Sequence, residues 1–202
     1  RMTEAQRDAI INSEEGLLIF NATTKRPNYY NGSVWMHFDG TAAEPLSIGD
    51  YFQGGVVFYL DGSGGGIVCA VNDQSAAAEW GCHATEIGAY GTAIGTGAQN
   101  TIDIEAGCTT PGIAAEICAD LSLNGYTDWF LPSKGELNEM YINKATIDAT
   151  ALANGGTAFV SAYYYCSSEL SLYYSWVQYF GNGIQATTTK SSTYRVRAVR
   201  DF

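Results

Sequence analysis

The side chains best suited to recognise another molecule are concentrated between Ser161 and Tyr194. This tract of 34 residues holds 7 of the 14 tyrosines, with 7 serines and 4 threonines, and its charged side chains are Glu169 and Lys190 alone. Tyrosine supplies a large, rigid contact surface, and small hydroxyl side chains supply adaptable hydrogen bonds. The composition predicts a binding surface, although tyrosine and threonine also favour a sheet with one solvated face.

The predicted contacts combine aromatic anchors with small hydroxyl residues around them. Aromatic side chains carry much of the binding energy at interfaces, so we expect the tyrosines of the tract to dominate. The predicted ligand-binding residues are Tyr163, Tyr165, Cys166, Leu170, Leu172, Tyr173, Tyr174, Val177, Tyr179, Ile184, Thr187, Thr189, Ser191 and Thr193.

The five cysteines offer a second kind of chemistry. None belongs to a C-x-x-C pair and the chain has only two histidines, so we expect no metal site. The first four either form two disulfides, most simply Cys82–Cys108 and Cys69–Cys118, or are small buried hydrophobic residues. Cys166 has no histidine or lysine close in sequence to activate its thiol, which argues against a catalytic role.

Composition excludes several classes of partner. The formal net charge is −11, which disfavours nucleic acid, anionic membranes and sulfated glycans. No run of 18 apolar residues is present, so we expect no membrane insertion. Hydrophobic residues make up 46% of the 202 residues, as in a globular protein. Nothing in the sequence calls for a cofactor.

Residues 1–45 are predicted to form a small β-rich module. Residues 3–10 favour a short helix, residues 16–20 a strand, and residues 29–38 a hairpin around Asn31-Gly32. A module of this size buries little by itself. We therefore expect it to pack on the main domain or on other copies of itself.

Residues 46–202 are predicted to form an α+β domain with two helices and a mostly antiparallel, irregular sheet. Residues 54–71 read as strand, glycine turn and strand, and residues 85–107 as a long irregular segment. Thr110-Pro111 favours the start of one helix, ended by Asn124-Gly125, and Ser133 with Glu136 forms the capping box of the other. Residues 126–133 should be an aromatic core segment, and short strands follow from residue 157.

Motifs in the second half of the chain carry a family resemblance. They are Asp128-Trp-Phe-Leu-Pro-Ser133 with Glu136-Leu137, Cys166-Ser-Ser-Glu169, Trp176 and Val196-Arg-Ala-Val-Arg200. In order and spacing, residues 48–202 resemble the C-terminal domain family named for a Legionella collagen-like adhesin. That family is similar in outline to the C-type-lectin-like and formylglycine-generating-enzyme-like folds.

The resemblance implies a layout for the domain. A strand near Gly54 would pair with the last strand near Arg195, and the tyrosine-rich tract would form the outer sheet and ligand loops. Trp176, Arg195, Arg197 and Arg200 would be framework. The N-terminal motifs Gly16-Leu-Leu-Ile-Phe20 and Tyr30-Asn-Gly-Ser-Val-Trp35 resemble segments of phage tail and bacterial surface proteins, which is compatible with a homotrimer.

The tract also resembles the variable region of proteins diversified by retroelements, in which template adenines are mutated. Mutating an AAC codon in its first two bases yields Tyr, Ser, Thr, Cys, Leu, Ile, Val and Ala among others, but not Lys, Glu, Gln, Met or Trp. The unreachable residues are interspersed through the tract as fixed framework would be: Glu169, Trp176, Gln178, Gln185 and Lys190.

These observations predict a non-enzymatic binding protein of the adhesin or phage receptor-binding type. Its partner would be a cell-surface protein or carbohydrate, and it would work outside the cell, at a cell surface or on a phage virion. The alternatives are an oxidase similar to formylglycine-generating enzymes and a structural surface domain without a ligand. A calcium-dependent lectin is disfavoured because the Glu-Pro-Asn and Gln-Pro-Asp motifs are missing.

Overall fold

A computed structural model describes residues 1–11, 13–38, 43 and 46–202. They form two compact units. The N-terminal unit comprises residues 1–47, 60–66 and 202, and the main unit comprises residues 48–59 and 67–201.

The described residues of the N-terminal unit form one short helix and one three-stranded sheet. Helix α1 (Glu4–Asp8) begins with a capping box in which Thr3 and Gln6 bond each other's backbone. Strands β1 (Leu18–Asn21), β2 (Arg26–Tyr30) and β3 (Trp35–His37) are antiparallel in the order β1-β2-β3. The helix, the first strand and the hairpin expected from the sequence are all present in this unit.

A four-stranded antiparallel sheet has the order β12-β6-β5-β4. Its strands are β4 (Tyr51–Phe52), β5 (Gly55–Leu60), β6 (Gly66–Cys69) and β12 (Val199–Asp201). The expected strand–turn–strand unit is confirmed in β5 and β6. The expected pairing of the strand near Gly54 with the strand near Arg195 is wrong, because β5 lies between β4 and β6.

A five-stranded sheet has the order β10-β9-β8-β11-β7. Its strands are β7 (Ser75–Glu79), β8 (Tyr163–Glu169), β9 (Tyr174–Tyr179), β10 (Gln185–Thr189) and β11 (Thr193–Val196). All pairs are antiparallel except β11 with β8, where Arg195 is the partner of Tyr164. The tyrosine-rich tract therefore supplies three of the five strands and the first half of a fourth, β11.

The described part of the main unit has four helices where the sequence predicted two. They are α2 (Gly97–Gly107), α3 (Ala114–Ala119), α4 (Lys134–Ile142) and α5 (Lys144–Ala153). The capping box of Ser133 and Glu136 at α4 is confirmed. The helix predicted from Thr110 starts later and ends earlier, because its N-cap is Ile113 and its C-cap is Asp120.

Helix α2 lies where an irregular segment was expected. Its first residue is Gly97, and a Cβ added there would clash with the Glu136 carboxylate and would approach the Ser133 amide nitrogen to 2.8 Å. Glycine is thus required by close packing against the start of α4, a reason that composition alone does not reveal. Thr96, the N-cap residue, makes no side-chain capping bond, so the start of α2 has no capping motif.

The core of the main unit joins both sheets to α4 and α5. It includes Val56, Phe58, Leu137, Met140 and Ile147, all buried. Trp129, Phe130 and Leu131 are buried as predicted for the aromatic segment, and Phe130 forms a β-bridge with Val199. The α+β class is confirmed.

Candidate ligand-binding surface of the five-stranded sheet

The five-stranded sheet has an inner and an outer face. Along each strand successive side chains alternate between the faces. Tyr164 and Cys166 belong to the inner face, where they join the hydrophobic core. Tyr163 is the register partner of Tyr179, and Tyr165 of Val177, so these four side chains lie on the outer face.

Four tyrosines of the outer face form a cluster, made of Tyr163, Tyr165, Tyr179 and Tyr194. Ring centroids are 5.0 Å apart for Tyr163–Tyr179, 5.4 Å for Tyr163–Tyr194 and 5.3 Å for Tyr165–Tyr194. These are the separations of favourable aromatic pairs. Three of the rings are half-buried, and the cluster therefore presents ring surface whose orientation is fixed by its own members.

Tyr165 lies beneath this surface. It is fully buried, and its hydroxyl donates to the Ser192 carbonyl oxygen at 2.7 Å. Burial raises the pKa of the Tyr165 hydroxyl far above its usual value. Its role is to support the cluster from below, so the prediction that Tyr165 contacts a ligand is wrong.

The hairpin tip, residues 170–174, lies at the opposite end of strands β8 and β9. Its backbone is fixed by hydrogen bonds from Leu170 and Ser171 to the Tyr174 carbonyl oxygen, at 2.9 and 3.1 Å. Leu170, Tyr173 and Tyr174 are 46%, 46% and 44% exposed. Large apolar side chains on a fixed backbone lose little entropy on binding, as a recognition surface requires.

The hairpin tip is also held by neighbouring segments. The Ala84 amide donates to the Leu172 carbonyl oxygen at 3.0 Å, and the Lys190 amide to that of Tyr173 at 3.0 Å. The His83 ring lies 5.3 Å from the Tyr173 ring. His83 is a site residue that the sequence analysis missed, because it is about ninety residues away along the chain and carries no motif.

The only two charged side chains of the tract form an ion pair inside the protein. Lys190 Nζ contacts Glu169 Oε1, and both side chains are fully buried. Lys190 Nζ also donates to the Thr85 carbonyl oxygen at 2.7 Å and lies 4.5 Å from the centroid of the Trp80 ring. The surface presented by the tract consequently carries no charge of its own.

The same ion pair anchors the loop of residues 85–89. Glu169 accepts hydrogen bonds from the backbone amides of Ile87, Gly88 and Ala89, at 3.0, 2.6 and 3.2 Å. Each oxygen of this buried carboxylate is therefore satisfied, as a buried charge requires. Glu169 and Lys190, two of the residues that mutation of an AAC codon does not yield, are thus buried structural residues.

A disulfide joins the same loop region to the end of α2. Cys82 and Cys108 are bonded, as predicted, with Cα atoms 5.6 Å apart. The predicted disulfide Cys69–Cys118 is wrong, because both cysteines are free and buried. They behave as the small hydrophobic residues that the sequence left open as the alternative.

Cys166 and Val177 are not surface residues. They are 1% and 3% exposed, so the prediction that they contact a ligand is wrong. The Cys166 thiol donates to the Trp176 carbonyl oxygen at 3.2 Å. Burial raises the pKa of the Cys166 thiol to about 12, which leaves almost no reactive thiolate near neutral pH.

The remaining predicted residues lie around the sheet rather than at one point. Ile184 is 57% exposed in the turn between β9 and β10, at the end of the sheet that also carries Tyr179. Leu172 belongs to the hairpin tip and is partly exposed. The hydroxyl residues of β10, β11 and the turn between them are exposed or half-buried: Thr187, Thr189, Ser191 and Thr193.

The arginines of the last motif are structural, as predicted. Arg195 Nη1 and Arg197 Nε bond the two oxygens of Asp73 at 2.9 and 2.8 Å, and Tyr164 donates to the same carboxylate at 3.0 Å. Arg200 pairs with Asp128. Trp176 is half-buried, with Lys134 Nζ 3.4 Å from its ring centroid.

Nothing in the described residues resembles a metal centre or a membrane span. Within the described ranges no group of three or more His, Cys, Asp or Glu side chains is placed to hold a metal ion. No helix in that part of the chain is long and apolar enough to cross a membrane.

Comparison with known proteins places this α+β domain in a family. Residues 69–200 match the Lcl C-terminal domain, and the chain belongs to that family. Residues 1–49 match a phage tail like trimerisation region. No curated protein is significantly similar to the chain.

Among solved structures that are similar in part, one can be described. It is a fimbrial protein from Bacteroides ovatus ATCC 8483, with 17% sequence identity and a TM-score of 0.47. The match covers 66% of this chain and 35% of the fimbrial protein, so the chain spans about a third of that protein's length.

Proposed function

We propose that the protein is a non-enzymatic, adhesin-like binding protein whose recognition surface is the tyrosine-rich tract. The observation that carries this proposal is the buried pair Glu169–Lys190, which removes both charges of the tract from its surface. What remains outside is a neutral set of tyrosine, leucine, serine and threonine side chains on a fixed backbone. Neutral, preorganised aromatic surfaces are suited to binding rather than to acid–base chemistry.

The buried cysteines support a binding role over an oxidase. An oxidase similar to formylglycine-generating enzymes needs accessible, reactive cysteines. Here Cys69, Cys118 and Cys166 are buried and burial raises the pKa of each thiol, while Cys82 and Cys108 are in a disulfide. A C-type-lectin-like outline, expected from the family resemblance, would fit the same role and belongs to this proposal.

The expected partner is a protein or carbohydrate on a cell surface. A neutral face predicts binding that depends little on ionic strength, unlike recognition of a polyanion. A working place outside the cell, at a cell surface or on a virion, agrees with the disulfide Cys82–Cys108, because such bonds persist in oxidising compartments. The match of residues 1–49 to a trimerisation region supports a homotrimer, in which linked copies of a weak site would bind with avidity.

The test measures binding of the labelled chain to intact bacterial and animal cells by flow cytometry, and to a glycan array. The informative variant is Tyr173→Ala/Tyr174→Ala at the hairpin tip. The control is Ile142→Ala/Leu152→Ala, which removes two apolar side chains from α4 and α5 that are 61% and 58% exposed. We expect the tip variant to lose binding by at least about thirtyfold, as at interface hot spots, and the control to bind like wild type. Equal binding by all three proteins would refute this location of the surface.

We further propose that the tract is diversified, with the exposed positions variable and the buried ones constant. The structure narrows the expected variable set to Leu170, Leu172, Tyr173, Tyr174, Ile184 and the exposed hydroxyl residues, because changes at Tyr165, Cys166 and Val177 would disturb packing. Deep sequencing of the segment encoding residues 155–202 in a natural population tests this. An invariant segment would end the diversification hypothesis and leave the binding proposal intact.

A further inference from the structure

The sheet of the N-terminal unit has an apolar face that is open to solvent. Register places Leu18 opposite Tyr29 and Tyr29 opposite Met36, so the three side chains share one face, and Phe20 lies two residues from Leu18 on the same side. The Phe38 ring packs edge-on against Tyr29, with centroids 5.5 Å apart. We call these five residues the apolar face.

The apolar side chains are well exposed. Leu18 is 62% exposed, Phe38 63% and Phe20 36%, while Tyr29 and Met36 are half-buried. The Arg1 guanidinium lies 5.1 Å from the Phe20 ring centroid, which puts a positive charge at the rim. A contiguous apolar patch with a charged rim is typical of a protein–protein interface.

The opposite face of the same sheet is covered and carries apolar as well as polar side chains, since Trp35, which is 8% exposed, shares it with Asn21 and Asn28. Asn21, Asn28 and Arg7 are fully buried, and Arg7 Nη1 donates to Asn28 Oδ1 at 3.3 Å. Helix α1, which carries Arg7, therefore covers this side of the sheet. The apolar face is the side of the sheet that remains open, and an exposed apolar patch of this kind marks a site of protein–protein contact.

We propose that the apolar face is the surface through which three copies of this chain associate. The inference rests on the homotrimer of the proposed function and assigns it to particular residues. The match to a trimerisation region spans residues 1–49 and thus all three strands that carry the face. With threefold symmetry, each copy turns the same uncharged face towards the axis and the contacts close into a ring.

Self-association through this face also suits the charge of the chain. Each copy has a formal net charge of −11, so copies repel one another at long range. The five residues of the apolar face carry no charge, and burying them places no carboxylate in the contact. The hydrophobic effect then opposes the repulsion at a surface whose five residues carry no charge.

The experiment measures the mass of the full chain in solution by sedimentation velocity. The test variant is Leu18→Lys/Phe38→Lys, chosen because both side chains are largely exposed and their loss should leave the unit folded. The control Ile11→Lys/Ile102→Lys adds the same charge at positions that are 84% and 59% exposed and lie off the apolar face. We expect a trimer for wild type and control and a monomer for the test variant, with unchanged circular dichroism.

Two results would contradict the inference in different ways. A monomeric wild type would overturn the proposed trimer itself. A test variant that stays trimeric would overturn the assignment of the face and leave the trimer standing.

Cross-linking gives a measurement that does not depend on a disruptive variant. Leu18→Cys should form disulfide-linked dimers of chains in the trimer on mild oxidation, while Ile11→Cys should not. The three native free cysteines are buried and contribute no background. Absence of the Leu18→Cys cross-link in a trimeric sample would overturn the inference.

Discussion

The two ends of the five-stranded sheet display tyrosine in different ways. At one end the rings of Tyr163, Tyr179 and Tyr194 pack on one another and on buried Tyr165. At the other end Tyr173 and Tyr174 project from a hairpin tip whose backbone, rather than its side chains, is fixed by hydrogen bonds. In the packed cluster, replacing a tyrosine would also remove contacts that stabilise the fold. At the hairpin tip, a side chain can be replaced without losing the hydrogen bonds that hold the backbone. A surface that must change its side chains without unfolding is better built in the second way.

Breaking the buried ion pair beside the hairpin tip should cause the largest loss in the free energy of unfolding. Glu169→Ala leaves Lys190 charged and buried without its carboxylate and frees three amides of the loop at residues 85–89. We expect a loss of about 3–5 kcal/mol in the free energy of unfolding, because an unpaired buried charge is left behind. Urea denaturation followed by tryptophan fluorescence measures this loss.

A double variant provides the control for that measurement. Glu169→Leu/Lys190→Met removes both charges, so it should be clearly more stable than Glu169→Ala. If Glu169→Ala unfolds at the wild-type urea concentration, the pair does not hold the hairpin tip to the loop.

Removing the disulfide should have the next largest effect. Cys82→Ser/Cys108→Ser opens a covalent loop with a sequence separation of 26, and we expect a loss of about 2–4 kcal/mol. Binding at the hairpin tip should weaken as well, since Ala84 bonds Leu172 next to the disulfide. Thermal unfolding with and without reductant checks the stability change.

Thiol counting supplies an independent control for the disulfide. Ellman's reagent should find no reactive thiol in the native wild-type chain, because its three free cysteines are buried. It should find three after denaturation without reductant. Five thiols under that condition would mean that Cys82 and Cys108 are not bonded.

Paired tyrosine variants compare the two ends directly. Tyr163→Ala/Tyr179→Ala removes two packed rings and should lower stability by about 2–3 kcal/mol. Tyr173→Ala/Tyr174→Ala removes two exposed rings and should change stability by less than about 1 kcal/mol while reducing binding. Chemical denaturation of both variants, beside the binding assay, tests the distinction, and equal stability losses would remove it.

The last prediction concerns Tyr164, on the inner face of the sheet, and the loss of folding stability at alkaline pH. Burial, with the negative charge of Asp73, raises the pKa of Tyr164 to about 12, whereas an unfolded tyrosine titrates near about 10. The folded protein therefore keeps a proton that the unfolded chain loses, and this contribution to stability is complete below about pH 10 and declines as the pH rises towards about 12.

Tyr164→Phe removes the ionisable hydroxyl. The free energy of unfolding of this variant should therefore fall by about 1–2 kcal/mol less than that of the wild type as the pH rises towards about 12. Urea unfolding of both proteins between about pH 8 and pH 12 measures it, with the value near pH 8 giving the cost of the lost Asp73 bond. Parallel curves for the two proteins would show that Tyr164 does not carry the alkaline loss.

Local patterns in the sequence were sufficient where the physical cause is local. The capping box of Ser133 and Glu136 and the hairpin at Asn31-Gly32 each depend on neighbours along the chain. Helix α2 was missed because glycine usually indicates a loop. At position 97 glycine is needed instead for close packing against Glu136, a contact that the sequence does not reveal. The strand near Gly54 was paired wrongly because pairing between distant strands leaves no mark in either one.

The candidate site likewise has features that the sequence predicted and features that depend on tertiary contacts. The composition of the tract correctly indicated a strand-rich, tyrosine-bearing region, but it did not distinguish Tyr165, which is buried, from Tyr173, which is exposed. Period-two alternation would separate them only if the bulge between Tyr165 and Glu169 were known in advance. His83 and the loop at residues 85–89 reach the site through tertiary contacts alone, and the disulfide Cys82–Cys108 was their one sequence signal.

The parallel strand β11 has a consequence for how the chain is made. It lies between β7, which precedes it by more than a hundred residues, and β8, and β12 then pairs with β6. Neither sheet of the main unit can be completed until residues 193–201 have left the ribosome. Until then β7 and β8 expose unpaired edges, and such long-range closure is slow. The nascent chain therefore carries unpaired strand edges until its last strands are synthesised.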